Sequence, residues 1–186
     1  MKIYEELLKS EIKGTIIDIE SIGEFDKRYK DSRECRNIIP VIFGCLTKDG
    51  LKIHYIEKKN EIPQMKKFLI NYIPNLNKPL YAFNCDFESS VLFHFCDLNV
   101  HFDHELNSTK YEAKSSAVRI LDIDDYDDPF YGDGKKCMDA WLRGDEIDKC
   151  IEHNRACLLK ERDILLKRGI REPDKIQLIQ IDNQNF

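Results

Sequence analysis

The sequence predicts an α/β fold, a mixed central β-sheet flanked by helices, and three stretches carry that reading. TIIDIE (15–20) is rich in β-branched residues and alternates in character, which suits a strand. PVIFGCLT (40–47) and LKIHYI (51–56) flank the turn residues KDG as a β-hairpin. Residues 145–167 hold a long helical pattern stopped by Gly169. Three early strands, then helix and strand in alternation, then a closing helix give a mixed sheet with helices on its faces.

The elements follow in chain order. Ile3 to Ile12 is spaced as a short helix ended by Gly14, and 15–20 is the first strand. Residues 21–38 are polar and irregular, and the hairpin follows. From Glu61 to Ile73 the apolar residues Ile62, Met65, Phe68, Leu69, Tyr72 and Ile73 recur at helical spacing. PLYAF (79–83) reads as a short strand, with FESSVLFHFCDL (87–98) a helix behind it. VHFDHEL (100–106) and AVRILDI (117–123) read as two further strands, and KIQLIQI (175–181) as an edge strand or a segment lying on a neighbour.

Length and composition limit the function classes. The chain has 186 residues, which suits one domain spanning 1–186. No apolar run approaches the roughly 20 residues that cross a bilayer. MKIYEELLKSEIKG mixes charge into its apolar positions, unlike a signal peptide, so a cytoplasmic protein without a membrane association is expected. Seven cysteines, at 35, 45, 85, 96, 137, 150 and 157, show no CxxC pair. That spacing argues against a zinc ribbon and predicts reduced, buried thiols. A net charge of -5 disfavours strong non-specific DNA binding. Clustered metal-binding carboxylates would account for the acidic balance, because bound cations offset them.

Three segments carry candidate chemistry. Asp18 and Glu20 lie two residues apart on a strand, so they point to one side among Ile16, Ile17 and Ile19. Two carboxylates there are costly to bury unless a hard cation sits between them. The plainer alternative is a solvated strand end. In YAFNCDFESS (81–90), Asn84 ends a strand and Glu88 falls in the first turn of a helix, where ligands gather on open α/β sheets. Glu88 could equally be a favourable charge at the helix start, and Asp86 a competing ligand or the N-cap. On the helix 145–166, Asn154 and Glu161 fall near the middle of the apolar face, with Cys157 at its edge and His153 one turn earlier. An inward Glu161 could be salt-bridged and His153 a satisfied structural histidine.

Together these segments resemble the DEDD 3′–5′ exonuclease branch of the ribonuclease H-like superfamily, nearest the nucleases that accompany helicase or RecB-type proteins. DIE (18–20) is similar to the opening D-x-E motif. FNCDFESSVL looks like the second motif, whose alignment selects Glu88 over Asp86, and GDEIDKCIEHNRACLLKE looks like the third. The likeness covers most of residues 14–167. It implies a three-layer domain and two Mg²⁺ or Mn²⁺ ions clamping the attacking water and the leaving oxygen. In that scheme Asp18 holds both ions, while Glu20 and Glu88 complete the cage. His153 orients or deprotonates the water, its ordinary pKa near 6.5 being suitable. Asn84, Asn154 and Cys157 would face substrate or a coordinated water.

The sequence departs from the family at one position. The third motif's Asp falls where Cys157 stands, and a thiol is a poor magnesium ligand. Either Glu161 replaces it as a metal ligand or one ion is lost. The implied partner is a single-stranded end of DNA or RNA, with a helicase or nuclease as protein partner. The rival expectation is an inactive module that binds nucleic acid or a protein. Tyr131 and Trp141 are candidates for holding a base. DIDDYDDPFYGDG does not fit an EF-hand and reads as a solvated acidic loop, and His101 and His104 as strand surface.

Overall fold

A computed structural model describes residues 1–175 and 177–180, and its six strands form one mixed sheet. In chain order they are β1 (Lys2–Leu7), β2 (Thr15–Ile22), β3 (Ile39–Thr47), β4 (Gly50–Tyr55), β5 (Leu80–Ala82) and β6 (His104–Glu105). Their order across the sheet is β1-β4-β3-β2-β5-β6. Strands β1 to β4 pair antiparallel with their neighbours, whereas β5 runs parallel to β2 and β6 parallel to β5. The helices are α1 (Ile62–Tyr72), α2 (Cys85–Cys96), α3 (Lys114–Ile120), α4 (Gly134–Arg143) and α5 (Ile147–Arg168).

Side-chain alternation sorts the helices onto two faces. Phe43 packs its ring against Phe68 and Tyr72 of α1, and His54 does the same from β4. The next residue, Gly44, faces Asn154 and Leu158 of α5 on the opposite side. Strand β2 is therefore covered on both faces, which is why Ile16 and Ile17 are both fully buried. Trp141 of α4 donates its indole N–H to the Ile56 carbonyl at 2.7 Å, locking α4 against the same face as α5. Trp141 is thus a core residue, which corrects the expectation that it holds a base.

Several elements match their expected place: β2, the β3–β4 hairpin, α1, β5, α2 and α5 with its stop at Gly169. Of the stretch read as a helix over 3–12, residues 3–7 are instead in β1, with Lys2 opposite Tyr55 and Leu7 opposite Gly50, and residues 8–12 are in neither helix nor strand. Pairing to β4 overrides the helical propensity of EELLK, and the charged residues suit a strand at the sheet edge. Gly14 ends no helix; it sits at φ 85° where a Cβ would lie 2.0 Å from the Pro79 carbonyl oxygen. The strand expected over 100–106 shrinks to the two residues of β6. The strand expected over 117–123 is corrected to helix α3, a short apolar run being ambiguous by period alone. Helix α4 lies where no element was expected. It is capped by Asp133, whose side chain accepts from Lys135 N and Lys136 N, and closed by Gly144 at φ 76°. Of the expected edge strand over 175–181, residues 175 and 177–180 form none, and 176 and 181 lie outside the described residues.

All seven cysteines are buried free thiols, as expected. Among the described residues, no helix is long and apolar enough to cross a membrane.

Candidate functional site

Asp18 and Glu20 lie on the α5 side of β2, at the end where β5 passes into α2. Asp18 is 5% exposed, and Asn154 of α5 donates its amide to Asp18 Oδ2 at 2.7 Å and to the Asp18 carbonyl at 3.3 Å. Gly44 lies directly opposite Asp18 in the sheet register. A Cβ on Gly44 would fall 2.1 Å from Asn154 Oδ1, so only glycine lets α5 approach closely enough to hold Asp18.

Glu88 comes from the first turn of α2, which Asn84 caps by accepting from Phe87 N at 3.3 Å. The turn rotates Glu88 inward, 4% exposed, and sends Asp86 outward to an ion pair with Lys110 at 2.7 Å. Asp86 is therefore not brought to the site. Glu161, fully buried on α5, is brought there. Lys114, the first residue of α3, places its ammonium 2.5 Å from Glu161 Oε1 and 2.7 Å from Asp18 Oδ1. Glu88 Oε2 and Glu161 Oε2 are buried without a hydrogen-bond partner.

His153, also on α5, is 2% exposed. Its Nδ1 lies 2.7 Å from Asp128 Oδ1, while its Nε2 lies 3.6 Å from Glu20 Oε1 and 3.9 Å from Cys157 Sγ. Asp128 is itself held by Lys160 at 2.8 Å and by the backbone N–H groups of Phe130 and Gly132. The segment read as a solvated acidic loop thus contributes one buried carboxylate. Asp124, Asp125 and Asp127 of the same stretch are exposed.

Burial and charge shape the titration of these groups. Glu20 is pushed up to about 7 by burial, with neighbouring Asp18 adding to it and His153 opposing. Burial, then the Glu161 and Asp18 charges, hold Glu88 well above the usual carboxylate range, and burial does the same to Glu161 against the pull of Lys114. Burial also raises Asp18, but Lys114 and its hydrogen bonds prevail and leave it low. For His153 burial favours the neutral ring, yet the facing Cys157, Glu20 and Asp128 raise it to about 11.

Asp18, Glu20, Glu88, Lys114, His153 and Cys157 line a cleft of about 340 Å³, with Glu161 buried behind Lys114. Asn84 is exposed at its rim, and Tyr131 and Arg119 line its walls. Phe87 lines another wall and packs on Phe25, their ring centroids 6.1 Å apart. Burial and mutual repulsion hold Glu20, Glu88 and Glu161 toward the protonated form, and a divalent ion would displace those protons and pair with the carboxylates. The unpartnered Oε2 of Glu88 is a hard oxygen donor of the kind such an ion can use. The residues present therefore fit a divalent metal.

Sequence reasoning missed Lys114, Asp128 and Lys160, all of which hold the site. Nothing in KSSAVRIL separates Lys114 from a surface lysine, and Asp128 is one acid among several in its loop. Lys160 does carry a signal, since it falls on the inward side of α5 beside Glu161. Compared with known protein families, curated proteins and solved structures, the chain gives no match.

Proposed function

We propose that this chain is a divalent-metal-dependent nuclease with a ribonuclease H-like fold, hydrolysing phosphodiester bonds of DNA or RNA from a 3′ end. One observation carries the reading. Three acidic side chains (Asp18, Glu20 and Glu88) line one cleft, a fourth, Glu161, is buried behind Lys114, and Glu88 Oε2 and Glu161 Oε2 have no hydrogen-bond partner. Burying carboxylates together costs several kcal/mol each unless a cation balances them. A mixed sheet whose central strand supplies two of the carboxylates also agrees with the family resemblance.

A bound divalent ion, Mg²⁺ or Mn²⁺ by that resemblance, would polarise the phosphoryl oxygen and supply an activated water. Asp18 and Glu20 would hold the ion from β2, with Glu88 reaching it from α2. Asn154 fixes the Asp18 carboxylate, so the ligand does not have to reorganise on binding. His153, its Nε2 3.6 Å from Glu20 Oε1, would orient the attacking water or exchange a proton with it. Phe87 on one wall and exposed Tyr131 on another can stack bases of a single strand, and Arg119 can meet its backbone. Asn84 at the rim is placed to bond a sugar or phosphate oxygen.

A second reading is favoured by Lys114. Its ammonium already pairs with Asp18 and Glu161, which neutralises part of the cluster without any metal. On that reading the chain is a binding module for nucleic acid or for a helicase or nuclease partner. End-labelled single-stranded DNA and RNA separate the two. The nuclease reading expects degradation with Mn²⁺ or another divalent ion, abolished by chelation and by Asp18→Asn. Binding of the strand without degradation under any divalent ion selects the module.

A further inference from the structure

We propose that the cleft takes a single transition ion of the zinc class on Glu20, His153 and Cys157, with Lys114 standing where a second metal ion would lie. This deepens the nuclease reading, replacing Asp18 and Glu88 as direct ligands of the ion by His153 and Cys157, and rests on that reading for the role of the ion. The donor atoms of Glu20, His153 and Cys157 all lie within 4.8 Å of one another. Tetrahedral zinc at its usual bond lengths separates N from O by roughly 3.3 Å and N from S by roughly 3.6 Å. The observed separations, 3.6 Å to Glu20 Oε1 and 3.9 Å to Cys157 Sγ, need only a small contraction to match. One oxygen, one imidazole nitrogen and one sulfur suit a borderline-soft ion, whereas magnesium demands about six hard oxygen ligands.

The orientation of His153 is an independent observation. Its Nδ1 is bonded to a buried carboxylate that three further donors fix, which leaves Nε2 directed at the Glu20 and Cys157 donors. Metal-bound histidines are held in this way, by a carboxylate on the nitrogen away from the ion. Lys114 supplies the rest of the case. Its ammonium lies between Asp18 and Glu161, the two carboxylates that the softer corner leaves unused. A fixed positive charge there opposes a second divalent ion by direct repulsion. Cys157 and Lys114 are then complementary: the thiol changes which ion binds, and the lysine removes the need for another.

Co²⁺ is the probe, because a thiolate ligand gives it an intense near-ultraviolet charge-transfer band. Wild type is expected to bind one Co²⁺ per chain with that band, and Zn²⁺ to displace it. Cys157→Ser should lose the band while its circular dichroism stays unchanged, which also excludes the other six cysteines as its source. Cys157→Asp should shift the preference toward Mg²⁺ and Mn²⁺, and Lys114→Ala should raise the uptake from one ion to two. Co²⁺ bound without the band, a band that survives in Cys157→Ser, or two ions per wild-type chain would each overturn the proposal. If the band is absent while Mn²⁺ supports degradation that Asp18→Asn abolishes, the zinc-class assignment fails and the nuclease reading stands. The band without degradation under any ion removes the nuclease reading and leaves the metal site.

Discussion

Gly44 has no side chain because Asn154 occupies the space a Cβ would fill, and Asn154 is there to hold Asp18. Gly44→Ala must push α5 outward or turn Asn154 away. The expected cost is about 1–3 kcal/mol of stability from overpacking, with metal affinity weakened about 10–100-fold through the lost support of Asp18. Denaturant unfolding and a metal titration of the same variant check both numbers. Unchanged stability and affinity would mean that α5 has slack the close contact does not suggest. At this scale the sequence discloses Asp18, Glu20, Glu88, Asn154 and Glu161, because strand alternation and helical period both dictate where a side chain points. Lys114 and Asp128 stay hidden because their roles depend on long-range packing. Lys114 meets Asp18 across a separation of 96 residues, and no local pattern encodes that meeting.

Among the elements, α1 and β4 form a contact with its own pH dependence. His54 of β4 is 8% exposed, its ring centroid 4.2 Å from Phe68 and 5.0 Å from Tyr72, and its Nε2 has no partner. Burial lowers its pKa to about 4, with Lys52 adding to the shift and Glu5 opposing it. The unfolded chain therefore binds a proton that the folded chain refuses. This contribution to stability is complete above the unfolded pKa near 6.5 and is lost as pH falls from there toward 4. The loss is on the order of 1 kcal/mol or more. His54→Phe keeps the ring and removes the titration, so its Tm advantage over wild type should widen between pH 7.5 and pH 5. A gap that does not change with pH would show that His54 does not titrate on unfolding.

Element legibility follows the strength of the local signal. The hairpin and α5 are long, regular and bounded by turn residues, and they fold as their pattern dictates. Strand β1 carries helix-forming residues and is decided by an unpaired edge of β4, which the sequence does not display. Helix α4 is different: Asp133 and Gly144 mark both of its ends in the sequence.

For the whole molecule, the proposed metal site would link ion binding to folding, because an ion that binds only the folded cleft stabilises it. An ion present at 100 times its Kd adds about 2.7 kcal/mol to folding. For a chain of this length that corresponds to a rise of about 5–10 °C in Tm. Thermal melts with and without a divalent ion measure it, and a melting point indifferent to every divalent ion would mean that Lys114 and protonation already satisfy the cluster.

Calorimetric titration of Mn²⁺ and Zn²⁺ into wild type and Glu20→Gln decides whether the cleft is a metal centre. Wild type should take up a divalent ion stoichiometrically, and Glu20→Gln should lose it or bind it at least 10-fold more weakly. Equal uptake by the two proteins, or none by either, would rule out a metal centre that includes Glu20.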